Sequence, residues 1–297
     1  MKNKVLTGLL LVLIGGWGSL SAQSAGSNYS RQVNTLIGTK GVGLTSGYLY
    51  PGATYPYGMV QFTPSYFSKR SGFVINQLSG GGCEHMGNFP TFPVKGKLKM
   101  SPDNILNYRI NISEEKGHAG YYEAMVQEDI KAKLTVTERT GMASYEYPAD
   151  QQYGTVIIGG GISATPIEQA AIVITAPNKC EGYAEGGNFC GLRTPYKVYF
   201  VAEFDTDALE SGTWKRNELK PNTTFAEGEY SGVYFTFDVN KKKNIQYKIG
   251  VSYVSVENAR ENLKAENTGW DFLQIQNQAE SKWNHYLGKI EVEGTNP

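Results

Sequence analysis

The strongest constraint on the fold is a strict two-residue alternation that recurs in separate runs. Ile130, Ala132, Leu134 and Val136 alternate with Lys131, Lys133, Thr135 and Thr137. Val233, Phe235, Phe237 and Val239 alternate with Tyr234, Thr236 and Asp238; Ile245, Tyr247, Ile249, Val251 and Tyr253 form a third such face. A period of two places each apolar set on one side of a pleated strand and the intervening set on the other. The stretches Tyr121 to Val126, Met142 to Tyr147 and Tyr196 to Phe204 read as further strands, and Asn240 to Asn244 as a polar hairpin connection. Many strands without interleaved helices predict a mostly β protein, with antiparallel sheets packed as a sandwich over residues 23–254.

The pattern changes near residue 255. Ser255 is placed to cap a short helix running to about Leu263, and Thr268, three residues before Asp271, signals a longer one. Phe272, Ile275, Ala279, Trp283 and Tyr286 recur every three or four residues, giving that helix an apolar face, and Gly288 ends it. Lys289 to Glu293 is strand-like. Residues 255–297 thus read as linker helices with a closing strand. At the end, Thr295-Asn296-Pro297 has the form of a helix start, because Pro suits the first helical position. An ordinary frayed terminus explains it equally well.

Composition excludes several functions. Lys+Arg and Asp+Glu both number 28, so the net charge is zero; neither nucleic-acid binding nor electrostatic docking to an acidic membrane is expected. Lys2 and Lys4 precede an apolar run from Val5 to Ile14, then small residues to Ala22. This is the pattern of a secretory signal peptide over residues 1–22, and it predicts a secreted or periplasmic bacterial protein. The apolar run is too short for a permanent span. An oxidising compartment permits disulfides, and Cys180 and Cys190 bracket a glycine-rich stretch read as a loop, which makes them the candidate bridge. Cys83 is then read as a small buried residue.

Residues 34–96 carry the irregular, glycine-rich sequence expected of a functional region. Gly80, Gly81 and Gly82 would let backbone N–H groups approach a ligand closely. No phosphate-loop lysine follows them, no Gly-x-Ser-x-Gly elbow is present, and the three His residues, at 85, 118 and 285, are far apart. The residues chosen for substrate contact are Ser79, Gly81, Cys83, Glu84, His85 and Asn88. Equally open is that this loop packs on another domain and touches no ligand. Arg139 is read as a structural ion-pair residue.

Several of these stretches carry a family resemblance. Asn34 to Thr39, Pro51-Gly-Ala-Thr54, Pro56 to Pro64 and Leu78-Ser-Gly-Gly-Gly-Cys83 resemble the N-terminal domain of glycoside hydrolase family 92, the exo-acting α-mannosidases. Gly120-Tyr-Tyr122, Leu134 to Arg139, Tyr196 to Phe204 and Trp283 to Gly294 continue the likeness, which departs at Lys40 to Tyr50. The resemblance implies a β-sandwich joined by helices to a C-terminal (α/α)6 barrel. That barrel would hold the acid, the carboxylates that activate water, and a calcium ion, in an inverting reaction on mannose-containing glycans, with α-1,2 linkages the expected preference. It implies no catalytic residue and no metal ligand in this sequence; the barrel is its expected partner. On that reading the apolar face of helix 270–287, Trp283 and parts of the glycine-rich loop are left unusually exposed. The alternatives are a stand-alone carbohydrate-binding module and a ligand-free structural sandwich.

Overall fold

A computed structural model describes residues 28–39, 49–65, 72–78, 85–103 and 111–291. In chain order its strands are β1 (Ala53–Thr54), β2 (Gln61–Pro64), β3 (Phe73–Val74), β4 (Thr91–Lys95), β5 (Ile112–His118) and β6 (Tyr121–Val126). Next come β7 (Ile130–Val136), β8 (Thr140–Glu146), β9 (Tyr153–Gly159), β10 (Ile167–Ala176), β11 (Lys179–Phe189) and β12 (Leu192–Phe204). The last are β13 (Glu210–Lys215), β14 (Glu218–Pro221), β15 (Phe225–Glu227), β16 (Ser231–Asp238) and β17 (Asn244–Ser252). Helices α1 (Val256–Glu266) and α2 (Phe272–Leu287) follow, and a single 3-10 turn, Tyr29–Gln32, precedes all of them.

The strands form two antiparallel sheets. One runs β1-β2-β3-β4-β9-β16-β13-β14 and the other β15-β10-β11-β12-β17-β8-β7-β6-β5. The expected mostly β sandwich is the observed fold, and the alternation explains it. Ile130, Ala132, Leu134 and Val136 are fully buried, whereas Lys131 and Lys133 on the other face are not. Register then builds continuous inward rows: Phe204 lies beside Tyr247, Tyr247 beside Ala143, and Ala143 beside Leu134. The facing sheet supplies Val156, Ile158, Trp214, Val233, Phe235 and Phe237 to the same core. Edge strand β5 is interrupted by a register shift, with Glu114 at φ +51°, and carries exposed charge, features that discourage pairing with another chain.

The Asn240–Asn244 connection is not a hairpin. β16 pairs with β9 and β13, while β17 pairs with β12 and β8, so the segment crosses from one sheet to the other. Both flanking strands bury their apolar faces towards the space between the sheets, which requires them to lie in opposite layers. The expected strand at 289–293 is also absent over its described part: Lys289 to Glu291 form a turn and irregular chain after the α2 cap, and 292–293 lie outside the described residues.

Ser255 caps α1 as expected, whereas α2 starts later than the Thr268 signal implied, with Asp271 as its cap. The Ser255 side chain accepts from the Asn258 N–H (3.0 Å), and the Asp271 carboxylate accepts from the Gln274 N–H (3.0 Å). α1 lies flat on the nine-stranded sheet, where Ala259 and Leu263 pack on Val201. The approach needs a glycine beneath it: a Cβ on Gly250 would come within 2.6 Å of the Ala259 carbonyl oxygen. α2 packs against β6, β7, β8 and the N-terminal turn. Contrary to the expected exposure, its apolar face is covered within this chain. Ile275 and Ala279 are buried, Trp283 is half-buried with its indole N–H donating to the Thr54 carbonyl (2.7 Å), and Tyr286 meets Tyr57 edge-on. The physical reason is that the rim of the sandwich offers its own apolar and carbonyl groups to this face. The glycine-rich part of that expectation, residues 79–84, lies outside the described residues.

Candidate functional site

Between β3 and β4 the chain passes through the glycine-rich segment, and its described ends meet in a buried polar network. The Asn76 side-chain oxygen accepts from the backbone N–H groups of Gly87 (3.1 Å) and Asn88 (2.7 Å). Its amide nitrogen donates to the Asn88 side-chain oxygen (3.0 Å) and to the Tyr253 hydroxyl (3.3 Å). The Tyr196 hydroxyl donates to the same Asn88 oxygen (3.0 Å). Gly87 turns the chain at φ +79°, and a Cβ there would crowd the Gln77 amide at 3.2 Å. Each partner arrives from a different element: Tyr196 early in β12, Tyr253 just past β17, Asn76 just past β3.

His85 is buried beside this network. Its ring meets Phe189 and Tyr196 edge-on, with centroids 4.9 and 5.5 Å away, and its Nδ1 lies 3.2 Å from the Asn188 carbonyl. A carbonyl only accepts, so Nδ1 bears a proton and donates it there. Burial raises the pKa of both Tyr196 and Tyr253 above the usual phenol value, against the opposing effect of the hydrogen bonds that Tyr196 makes to Asn88 and Tyr253 accepts from Asn76. Both phenols therefore stay neutral and act as hydrogen-bonding groups. Three further polar atoms, Asn88 Nδ2 and both ends of the Gln77 amide, are buried without a partner among the described residues. The network can hold a loop in place and offer hydrogen bonds; its described residues include no carboxylate to act as an acid.

Of the six residues expected to contact substrate, Ser79, Gly81, Cys83 and Glu84 lie outside the described residues. His85 and Asn88 are brought together, but both are buried and neither faces solvent. Sequence reasoning missed Asn76, Gln77, Tyr196 and Tyr253 as their companions. The one available signal was Asn76-Gln77, a polar pair directly after the apolar Phe73-Val-Ile75. Arg139 is structural, as expected: its side chain pairs with Glu266 near the end of α1, and its N–H donates to the same carboxylate (2.8 Å).

The expected Cys180–Cys190 bridge is overturned. Cys180 is a free, fully buried thiol on the inner face of β11, and burial pushes its pKa well above the thiol range. Cys190 is disulfide-bonded, but not to Cys180. The stretch between them is strand β11, not a loop. Ten residues of extended chain separate their Cα atoms by roughly 30 Å, against the ~6 Å that a disulfide spans.

A second concavity, an open groove of about 830 Å³, runs along the outer flank of α2, where Tyr55 faces Leu273, Asn277, Lys282 and His285. Among the described residues no group of three or more His, Cys, Asp or Glu is arranged to hold a metal ion, so no described residue is assigned to calcium.

Residues 32–252 match the family model of the glycosyl hydrolase family 92 N-terminal domain. The chain belongs to glycosyl hydrolase family 92. Residues 258–297, which include both helices almost entirely, match the catalytic-domain model of the same family. A curated relative from Arthroderma benhamiae, named an uncharacterized secreted glycosidase, is 26% identical over 88% of this chain and 38% of its own length. A GH92 α-mannosidase structure from Bacteroides thetaiotaomicron superposes with a TM-score of 0.78 at 24% identity, covering 90% of this chain and 39% of that one. A second structure from that organism, a GH92 inverting mannosidase, gives 0.75 at 25% identity over 89% of this chain and 37% of the other. The chain thus spans less than two-fifths of the length of these relatives.

Proposed function

We propose that this chain is the N-terminal part of an exported, inverting exo-α-mannosidase whose chemistry is supplied by a C-terminal barrel. The observation that carries this reading is the pair of consecutive matches, the N-terminal domain model over 32–252 and the catalytic-domain model from 258. Related structures named as mannosidases, one of them as inverting, support the substrate and stereochemistry. Calcium belongs to the barrel in this reading, and the preferred bond is α-1,2. The glycine-rich loop, through Ser79, Gly81, Cys83 and Glu84, lines the pocket rim, while His85 and Asn88 hold it from beneath. Residues 1–22 direct export, in keeping with the relative named as secreted.

The test compares this chain with the same chain continued through the coding sequence that follows Pro297. Each is assayed on α-1,2-, α-1,3- and α-1,6-mannobiose, with proton NMR to follow the anomer released. The extended protein should release β-mannose first, act fastest on the α-1,2 substrate, and lose activity to a chelator until calcium is restored. This chain alone should be inactive. Hydrolysis by this chain alone, or none by the extended one, would sink the proposal. Calorimetric binding of mannobiose by this chain alone would instead favour a carbohydrate-binding module. N-terminal sequencing of exported protein should begin at Gln23.

A further inference from the structure

The outer face of the nine-stranded sheet carries a separate cavity, lined by none of the residues of the polar network. It lies at the C-terminal end of α1, has a volume of about 310 Å³, and is lined by Lys179, Glu203, Lys248, Arg260, Lys264 and Asn267, with Leu263 as an apolar wall. Four cations therefore face one carboxylate. Glu203 is shared between Lys179 (2.9 Å) and Lys248 (3.5 Å), and Arg260 is held by Glu181 (2.7 Å). Lys264 makes no ion pair among the described residues. Two carboxylates thus offset four positive charges, of which Lys248 alone is buried.

Lys248 bears most of that burden. Its side chain is only 7% exposed, and its ammonium group donates to the Asn267 carbonyl (3.0 Å) and lies 4.4 Å from the centre of the Trp270 ring. Burial foremost lowers its pKa from the ordinary lysine value; Glu203 works against that, and Lys179 adds repulsion. Asn267, at the α1 cap, is wholly buried, and neither atom of its side-chain amide has a partner among the described residues. The cavity therefore holds a buried ammonium that shares its one carboxylate with Lys179, and an amide N–H group without an acceptor among the described residues; an anionic oxygen would satisfy either.

We propose that this cavity is a binding site for a phosphate group, either free or carried on a monosaccharide. Four cations select for negative charge, the volume admits more than a bare ion, and Leu263 offers contact to a carbon skeleton. The proposal does not depend on the mannosidase reading, because the cavity is built from β11, β12, β17 and α1 alone.

The experiment is calorimetric titration of the purified chain with inorganic phosphate, mannose 6-phosphate and mannose at low salt. Phosphate and mannose 6-phosphate should bind saturably, mannose should not, and affinity should fall as salt is raised. At least tenfold tighter binding of mannose 6-phosphate assigns the site to a sugar-borne anion; equal affinity assigns it to the free ion. Lys248→Met should weaken binding at least tenfold. Because that change touches a buried group, Lys179→Gln/Lys264→Gln serves as a second variant on exposed side chains and should weaken binding at least fivefold. No saturable heat with either phosphate probe, or equal binding by wild type and the double variant, would overturn the proposal.

Discussion

Phe204 and Asn88 are both fully buried, but they are held in different ways. Between the sheets, Phe204 meets Phe235, Phe237 and Tyr247 at ring-centroid distances of 4.9, 5.1 and 5.3 Å. Those contacts are numerous and non-directional, so each is dispensable but their sum is large. At the end of the sandwich, Asn88 is held by two hydrogen bonds with Asn76 and one from Tyr196, all directional. Removing one partner there strands a polar group. The first region stabilises the fold as a whole; the second fixes the path of one loop.

Four measurements can break or sharpen that contrast. Phe204→Ala should have the largest effect, a loss of about 3–5 kcal/mol from the cavity it leaves, read by chemical denaturation. Asn76→Ala leaves the Gly87 and Asn88 N–H groups without their acceptor and should cost about 1–3 kcal/mol. Hydrogen exchange at those two amides should rise with it, while the core strands keep their protection. If protection falls equally in β8 and β17, the network is part of the core and the contrast fails.

Glu280 on α2 adds charge to the comparison. Burial alone would raise its pKa, but hydrogen bonds from His118 (2.9 Å), Gln276 (2.6 Å) and Arg31 (3.1 Å) win, and it lies below the usual glutamate value. A depressed carboxylate stabilises the fold fully above its unfolded pKa, and that contribution is lost as pH falls through the folded value. Glu280→Gln should therefore lower stability near neutrality by about 1–2 kcal/mol and flatten the stability curve below pH ~4.5. An unchanged acid limb would show that the cluster contributes nothing. Smallest of all, Arg193→Ala breaks an exposed pair with Glu168 and should shift stability by less than about 0.5 kcal/mol.

Where residues obey a local period, the fold was legible. Ile130–Val136 and Tyr121–Val126 are strands with the bounds their alternation implies, and Ser255 caps α1 as its side chain suggests. Legibility failed where the deciding contact is distant. Cys180 and Cys190 look like the ends of a loop until Ile172 and Phe200 are seen to pair with Gly182 from either side, making the glycines part of a sheet. Asn240–Asn244 looks like a hairpin because its polar residues suit one; only the partners of β16 and β17 place it between layers. The candidate site was half legible. His85 and Asn88 stand in a glycine-rich context visible in the sequence, but Tyr196 and Tyr253, which complete the network, lie more than a hundred residues away, and nothing local announces that His85 and Asn88 are buried.

The N-terminal turn and α2 are fastened together side by side. Ser30 donates its N–H to Asn284 (2.7 Å), Arg31 pairs with Glu280, and the Tyr29 hydroxyl reaches Glu291. Tyr29 to Arg31 and Glu280 to Glu291 thus lie on one patch, although their contacts join positions 249 to 262 residues apart. A circular permutant that joins residue 28 to residue 291 by a short linker and opens at the exposed Arg216-Asn217 turn between β13 and β14 should keep both sheets in register.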